Sequence, residues 1–255
     1  MSVTDRRPGR GAPEPEEHRR RTGVTAIVPA LDEEAAIGAV VEALRRVIAD
    51  EVIVVDGGSR DATAQRARAA GARVVVETRR GYGRACLTGA AHAQDAEVLL
   101  FCDGDGSDVI EQAPRLTQPI QRGHADLVIG SRIRGRRQPG SMRIHQLAGN
   151  ILVAWLIRVR HHAPVSDIGP FRAIRANLLP TLELREVTYG FPTEMIARTA
   201  LRGYRIAEVP VDYRARDGGQ SKVSSSLRGS LLAGYHMLRV AWSREKTRSE
   251  GGTPT

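Results

Sequence analysis

The feature that most constrains the fold of this chain is a series of short apolar runs separated by segments with helical periodicity. The runs are rich in β-branched residues: VTAIVPA (24–30), EVIVVD (51–56), ARVVVE (72–77), EVLLFCD (97–103) and ADLVIGS (125–131). Runs of this length are typical of strands that are buried on both faces of a parallel sheet. After the first run, apolar residues recur with helical spacing at positions 37, 40, 41, 44, 47 and 48, and Asp32 is the predicted N-cap of that helix. The alternation predicts a doubly wound α/β fold, with a mostly parallel central sheet flanked by helices.

The pattern changes beyond about residue 140. We expect a long helix over about 144–160, an irregular segment around SDIGPFRAI, a helix near 192–202, short strands in YRIAEV and VDYRA, and a last helix over about 224–242. Residues 1–22 and 244–255 contain almost nothing to bury. Both ends are therefore predicted to be disordered tails around a single domain, 23–243.

Charge and composition limit the kinds of partner. The 255 residues carry a formal net charge of +9, which suggests an anionic partner such as a phosphate ester, a nucleic acid or an acidic membrane surface. Nucleic acid is the weakest of these and is not expected, because aromatic residues make up only 4% of the chain. The longest apolar run, ILVAWLI (151–157), is far shorter than the roughly 20 residues of a spanning helix. The two cysteines predict buried thiols in a reducing cytoplasm and no zinc site.

Polar residues gather where the predicted strands end. Sheets of this type bind ligands at the carboxyl ends of their strands, which points to Pro29, Asp56, Asp103 and Arg132. Asp56 is followed by two glycines, and its carboxylate would accept hydrogen bonds from a base or from ribose hydroxyls. A glycine turn with a capping aspartate explains the same residues equally well. The basic helix entrance RRGYGRA (79–85) is suited to approach a phosphate.

The hexapeptide DGDGSD (103–108) directly follows an apolar run and sets Asp103 and Asp105 at alternate positions. Two carboxylates at a strand end suit Mg²⁺ or Mn²⁺, which keeps waters and takes phosphates as its other ligands. Aspartate and glycine are also common in surface turns, but the position at a strand end favours the metal. Ser107 and Asp108 are left open, either completing the metal shell or starting the next helix.

Two basic stretches follow. SRIRGRRQPGSMR (131–143) has five arginines and no acid, and guanidinium groups bind phosphate oxygens in bidentate fashion. Arg132 is the member that a strand end would fix, whereas the others are explained equally well as solvated side chains. RARDGGQSK (214–222) is a glycine-rich loop that would fold over a bound ligand, and its basic residues are Arg214, Arg216 and Lys222.

Together these motifs resemble family 2 glycosyltransferases, in the branch similar to dolichyl-phosphate mannosyltransferase and bacterial polyprenyl-phosphate sugar transferases. In chain order they are TAIVPALDEEAAI, VIVVDGGSRDAT, GYGRA, DGDGSD, DLVIGSR, DIGPFRA and RIAEVPVDYRARDGGQSK. The resemblance runs from about Val24 to Lys222. It implies a type-A glycosyltransferase fold and inverting transfer from a UDP- or GDP-sugar. It also divides the domain into a nucleotide-binding half (23–131) and an acceptor half (132–243).

The resemblance implies roles for residues of the nucleotide-binding half. Asp56 holds the base, Arg84 lies near the base or its phosphates, and the residues that border the nucleotide are Pro29, Leu31 and Glu33. Asp103 and Asp105 form the DxD pair, which binds Mg²⁺ or Mn²⁺ and, through it, the diphosphate. Ser107 departs from the amide that relatives usually carry, and Gly57 replaces a usual acid, so metal ligands beyond the Asp pair are left open.

In the acceptor half, the resemblance implies an acceptor phosphate held by Arg132, Arg143 and Lys222. Asp167 matches an acidic position that is a candidate general base for a hydroxyl acceptor, whereas an ionised phosphate acceptor needs no base. The stretch DIGPF replaces the commoner D-x-x-S-G-F. The expected catalytic residues are Asp105, Arg132 and Asp167. The metal and the arginines would neutralise the departing nucleoside diphosphate.

Three functions follow as alternatives: transfer to polyprenyl phosphate at a membrane surface, the same chemistry on a soluble acceptor, and a non-catalytic nucleotide-sugar-binding module. The helix around ILVAWLIRVRHH and the final helix support the first if they lie in a membrane interface, although packing against the sheet or a second subunit explains them too. Retention of Asp103 and Asp105 argues against the third. The expected location is cytoplasmic. A peripheral position on the inner face of the membrane and the formation of an oligomer are both left open.

Overall fold

A sheet of seven strands runs through residues 23–216, the part of the chain that the structure, a computed structural model, describes. The strands are β1 (Val24–Ala30), β2 (Glu51–Asp56), β3 (Arg73–Val76), β4 (Val98–Phe101), β5 (Leu127–Ser131), β6 (Arg172–Arg175) and β7 (Ile206–Pro210). Their order is β3-β2-β1-β4-β6-β5-β7. β6 is antiparallel to β4 and β5, and the other neighbours are parallel. The predicted α/β fold with a mostly parallel sheet is confirmed.

Helices cover both faces of the sheet. They are α1 (Ile37–Val47), α2 (Thr63–Ala69), α3 (Tyr82–His92), α4 (Ala113–Gln121), α5 (Ile144–His161), α6 (Leu178–Thr181) and α7 (Phe191–Leu201), with a 3₁₀ turn at Ile110–Gln112. Successive residues of β1 point to opposite faces, so Val28 joins the apolar core under α1 and Ile27 joins the core under α3 and α7. Burial on both faces explains the unbroken apolar runs.

Helix α3 packs closely against the sheet through a glycine. A Cβ atom added to Gly89 would lie 2.5 Å from Cγ2 of Ile27 and 2.9 Å from Cγ2 of Val55. Only a residue without a side chain fits here without displacing its neighbours. The close approach fixes the distance of α3 from the sheet.

The strand registers align the carboxyl ends from which the site is built. Ala30 pairs with Asp56, and Ile27 pairs with Phe101. The residues that follow β4 and β5, beginning at Cys102 and Arg132, leave the sheet at the same edge because β4 and β5 both pair antiparallel with β6. The fold therefore brings the loops after β1, β2, β4 and β5 to one side.

Three local expectations differ from the structure. VDYRA forms no strand, since Tyr213 makes only isolated bridges to Asp108 and Arg137. The segment predicted to be irregular contains β6. Asp32 is not the N-cap of α1: it has a φ of 49°, its carboxylate accepts the Arg60 N–H, and the helix begins at Ile37.

Several expectations fall on residues outside 23–216, namely both tails, the helix at 224–242 and Lys222. The division into a nucleotide-binding half and an acceptor half stays a prediction. Within 23–216, none of the helices has the length and apolar character needed to cross a bilayer.

Candidate active site

Three carboxylates lie together in the loop that follows β4. Asp105 and Asp108 are 2% and 3% exposed, and Asp103 is half-buried. The carboxylate of Asp105 accepts hydrogen bonds from the N–H of Ser107 at 2.9 Å and from its hydroxyl at 2.5 Å. Asp108 Oδ2 accepts the N–H of Asp103 at 3.0 Å. The loop thus folds back on the end of its own strand and buries the side chains of Asp105 and Asp108.

The acids repel one another. Burial, together with the charges of Asp105 and Asp108, raises the pKa of Asp103 well above its usual range. Burial is also the main cause that raises the pKa of Asp108 to about 7. Within residues 23–216, Asp108 Oδ1 is buried without a hydrogen-bond partner. A cation at this place would reduce the repulsion between the carboxylates and give the unpaired oxygen a partner.

The ligand set fits a divalent metal that binds through few protein groups. Among the described residues, no group of three or more histidine, cysteine, aspartate and glutamate side chains has the arrangement of a metal site. Mg²⁺ and Mn²⁺ prefer oxygen, and Mg²⁺ is often bound by one or two carboxylates together with water and phosphate oxygens. The residues present therefore fit such a metal if a bound phosphate completes the shell.

A guanidinium group already contacts one of these acids. Arg216 Nε lies 2.9 Å from Asp105 Oδ2, and the Arg216 side chain is 31% exposed. Two residues earlier, the N–H of Arg214 donates to the carbonyl of Ser107. Residues 214–216 therefore lie against the acidic loop.

Arg132 and Asp167 form a buried ion pair beside the acids. The N–H and Nε of Arg132 donate to Asp167 Oδ2 at 2.7 and 2.9 Å, and Nη2 donates to Oδ1 at 2.8 Å. Burial alone would raise the pKa of Asp167, but the Arg132 charge and its hydrogen bonds hold that pKa below the usual value. Arg132 Cζ also lies 5.1 Å from the ring centre of Tyr213. Both predicted residues thus share one site, and Asp167 is an ionised carboxylate whose oxygens face Arg132.

On the nucleotide side, Asp56 accepts hydrogen bonds within its own turn. The Ser59 N–H lies 3.2 Å from Oδ1, and the Ser59 hydroxyl donates to the same atom at 2.5 Å. Pro29 lies in β1, and Leu31 follows it, both partly buried. The N–H of Glu33 donates to the Thr63 hydroxyl at 2.7 Å. These residues line the joint ends of β1 and β2, and their roles toward a nucleotide stay predictions.

The entrance to α3 is covered by another part of the chain. The N–H groups of Gly83 and Arg84 donate to the carbonyls of Thr188 and Val187. These two groups are therefore not available to a phosphate, contrary to the expectation for RRGYGRA. Within 23–216, Arg84 Nε is buried without a hydrogen-bond partner, so any part it takes in nucleotide binding would come from its side chain.

Within the described residues, the other two predicted phosphate ligands are not seen in contact with the acidic loop or with Arg132. Arg143 is exposed at the start of α5, where its N–H donates to Gln146 Oε1 at 3.0 Å. Lys222 lies outside the described residues. Sequence reasoning missed Tyr213 and Glu208, which support the Arg132 region. The only signal for Glu208 was an acid inside the apolar run RIAEVP.

Comparison with known proteins identifies the family. The model of "Glycosyl transferase family 2" matches residues 25–182, more than half of the chain. An uncharacterised glycosyltransferase of Mycobacterium tuberculosis is 39% identical over 212 residues, which cover 82% of this chain and 94% of that protein. The dolichyl-phosphate hexose transferase of Haloferax volcanii is 36% identical, covering 85% and 93%. The undecaprenyl-phosphate mannosyltransferase of Micrococcus luteus is 32% identical, covering 90% and 99%.

Solved structures show the same architecture. Glucosyl-3-phosphoglycerate synthase from Mycobacterium tuberculosis, in complex with Mn²⁺ and UDP-glucose, superposes with a TM-score of 0.67. It is 23% identical, over 87% of this chain and 80% of that one. The expected type-A glycosyltransferase fold and the resemblance to the polyprenyl-phosphate branch are both confirmed. The chain belongs to glycosyl transferase family 2 and is a glycosyltransferase.

Proposed function

We propose that this protein is a metal-dependent, inverting hexosyltransferase that moves a sugar from a UDP- or GDP-sugar to polyprenyl phosphate. The observation that carries the proposal is the meeting of opposite charges at one sheet edge. A buried acidic loop, 103–108, contacts the guanidinium group of Arg216 and interacts electrostatically with Arg132, which is paired with Asp167. Such a site suits a cation-bound diphosphate donor and an anionic acceptor.

The donor side of the proposal uses the ends of β1, β2 and β4. Asp103 and Asp105 would hold Mg²⁺ or Mn²⁺, which supplies Lewis-acid stabilisation of the departing diphosphate. Pro29, Leu31 and Glu33 border the nucleotide, and Asp56 holds the base through whichever lone pairs its turn leaves free. Support for a metal and a UDP-sugar also comes from the synthase that was crystallised with both.

Arg216 and Arg84 complete the donor side. Arg216 is near enough to Asp105 to exchange this contact for a diphosphate oxygen, and its charge would stabilise the leaving group. Within 23–216, Arg84 Nε is buried without a hydrogen-bond partner, and we assign this side chain to the donor phosphates. Both groups act on phosphate charge rather than on the reacting carbon.

On the acceptor side, Arg132 orients the acceptor phosphate, with Arg143 and Lys222 as further cationic groups. A phosphate oxygen is already ionised at neutral pH, so the reaction needs no general base. We therefore propose that Asp167 orients Arg132. Its carboxylate accepts hydrogen bonds from the N–H, Nε and Nη2 of Arg132. If the acceptor is a hydroxyl, Asp167 becomes the candidate base and must first release Arg132.

A lipid acceptor is supported by the relatives and by one face of α5. The Haloferax and Micrococcus relatives are named for dolichyl phosphate and undecaprenyl phosphate. The exposed apolar side chains of α5 are Ile144, Ile151, Leu152, Trp155 and Val159, each at least 47% exposed. An apolar helix face next to exposed arginines suits the surface of an anionic bilayer, where the protein would be peripheral. A soluble acceptor is the alternative, since the structural neighbours include complexes with phosphoglyceric acid.

The test is a transfer assay with Mn²⁺ or Mg²⁺ and a panel of UDP- and GDP-sugars. Polyprenyl phosphate in vesicles and 3-phosphoglycerate in solution serve as acceptors, and Asp105→Ala is the inactive control. Transfer to the lipid alone supports the proposal, whereas transfer to the soluble phosphate alone favours the alternative. Binding of a nucleotide sugar without transfer to any acceptor would indicate a non-catalytic module and refute the proposal.

A further inference from the structure

A glutamate from β7 holds the segment that carries Asp167. Oε1 of Glu208 accepts the N–H groups of Ser166 at 2.6 Å and Asp167 at 3.0 Å. Oε2 accepts the hydroxyl of Ser166 at 2.9 Å. The Glu208 side chain is only 4% exposed. One buried carboxylate therefore fixes two consecutive backbone amides just before the Asp167 side chain.

These contacts join two neighbouring strands through the held segment. Glu208 pairs with Ile129 in the β5–β7 register, and Arg132 follows the end of β5. The hydroxyls of Ser131 and Ser166 are 2.9 Å apart, which closes the link on the β5 side. The contacts form a connected path. It runs from Glu208 to the backbone at 166–167, and from there through the Asp167 carboxylate to Arg132.

The Glu208 charge is balanced chiefly by backbone donors. The one cation in its described contacts, Arg134, lies 3.5 Å away and its side chain is 54% exposed, so its contribution is weak. Because both amides donate to the same oxygen, the oxygen of a carboxamide at this place would accept both of them in the same geometry.

We propose that Glu208 is a positioning residue for Arg132 and, through it, for the acceptor phosphate. The second step rests on the proposed function, in which Arg132 binds that phosphate. Glu208 itself contacts neither substrate. Without it the 166–167 segment loses its anchor, and the Asp167 carboxylate no longer holds Arg132 in one orientation. The acceptor side would then lose its preorganised cation while the acidic loop stays intact.

The first test measures the anchor directly and needs no acceptor. Hydrogen exchange is followed by mass spectrometry in peptides covering 163–171 for the wild type, Glu208→Ala, Glu208→Gln and Glu111→Ala. Glu111 is a surface glutamate whose side chain is 53% exposed, so its removal is the matched control. We expect exchange to be at least about tenfold faster in Glu208→Ala, and near wild type in Glu208→Gln and the control. Unchanged protection in Glu208→Ala, or faster exchange throughout the protein, would overturn the proposal.

The second test separates positioning from a general loss of structure. In Glu208→Ala, the KM for polyprenyl phosphate should rise at least about tenfold, while the Kd values of Mn²⁺ and UDP change less than about twofold. Glu208→Gln should restore the acceptor KM. Equal loss of donor affinity, or a glutamine variant as impaired as the alanine variant, would contradict the proposed role. If the wild type transfers sugar to no acceptor, the proposed function fails, and the exchange experiment still decides whether Glu208 anchors the segment.

Discussion

Replacing Asp167 with asparagine tests the buried ion pair that the acceptor side is built on. The change keeps the size of the side chain and one acceptor oxygen but removes the charge opposite Arg132. Asp167 is fully buried and the Arg132 side chain is 11% exposed, so water cannot take the place of the lost charge. We expect the variant to fold but to be markedly less stable than the wild type.

The size of the effect follows from the geometry of the pair. Three donors of Arg132 reach the two Asp167 oxygens at 2.7–2.9 Å. Breaking a buried pair by removing one partner costs about 3–5 kcal/mol, because the remaining charge is left uncompensated. For a domain of this size each kcal/mol lowers Tm by about 2–4 °C, so a fall of about 6–20 °C is expected. Replacing both residues, as in Arg132→Met with Asp167→Asn, should cost less than the sum of the single changes.

The assay is urea denaturation of the four members of this double-mutant cycle at neutral pH, with Glu111→Gln as control. The exposed Arg46–Glu111 pair should contribute less than about 1 kcal/mol. Because folding lowers the pKa of Asp167, its stabilisation is present above the unfolded value of 3.8 and disappears as the pH falls through the lower folded pKa. The wild type and Asp167→Asn should therefore converge in strong acid. A loss below about 1 kcal/mol at neutral pH, or additive single changes, would refute the reasoning.

Three further predictions concern the metal, the core and the pH dependence. Asp105→Asn should lower Mn²⁺-dependent nucleotide binding at least about tenfold in calorimetry, and EDTA should do the same to the wild type; unchanged binding would exclude Asp105 as a ligand. Gly89→Val should cost about 1–3 kcal/mol in urea denaturation because it overpacks Ile27. Gly38→Ala, in open space, should be neutral or stabilising, and equal effects would contradict the packing argument. Hydrogen bonds from Arg79 lower the pKa of Glu77 to about 2, so Glu77→Gln should be less stable than the wild type above about pH 4.5, and the two should converge as the pH falls below about 2. A difference that persists in acid would refute that assignment.

The sheet was predictable because burial on both faces leaves a local signal. The runs at 24–30 and 51–56 have the bounds of β1 and β2, and α5 begins at the predicted residue, Ile144. β6 was not predictable in the same way. Its four residues, RAIR, begin and end with arginine, and its place depends on antiparallel pairing with two strands that lie far away in sequence.

For the candidate site, sequence reasoning named several residues that the structure brings together, but not their partners. The strand-end rule placed Asp103, Asp105 and Arg132 in one region, as the structure has them. That Arg132 pairs with Asp167 depends on a loop 35 residues away in sequence. The covering of the α3 entrance by Val187 and Thr188 has the same origin. Contacts between distant segments carry no periodic signal in either segment.

The position of β6 has a consequence for dividing this chain. β4 and β5 are not hydrogen-bonded to each other, because β6, from the proposed acceptor half, lies between them. A fragment ending at residue 131 would lack the strand that joins β4 to β5, and both would present open edges prone to aggregation. If the two halves differ in what they bind, the shared hydrogen-bonded sheet still predicts that they fold as a single unit. An exchange of acceptor specificity between relatives is therefore better designed by grafting the loops at the sheet edge than by joining half-chains.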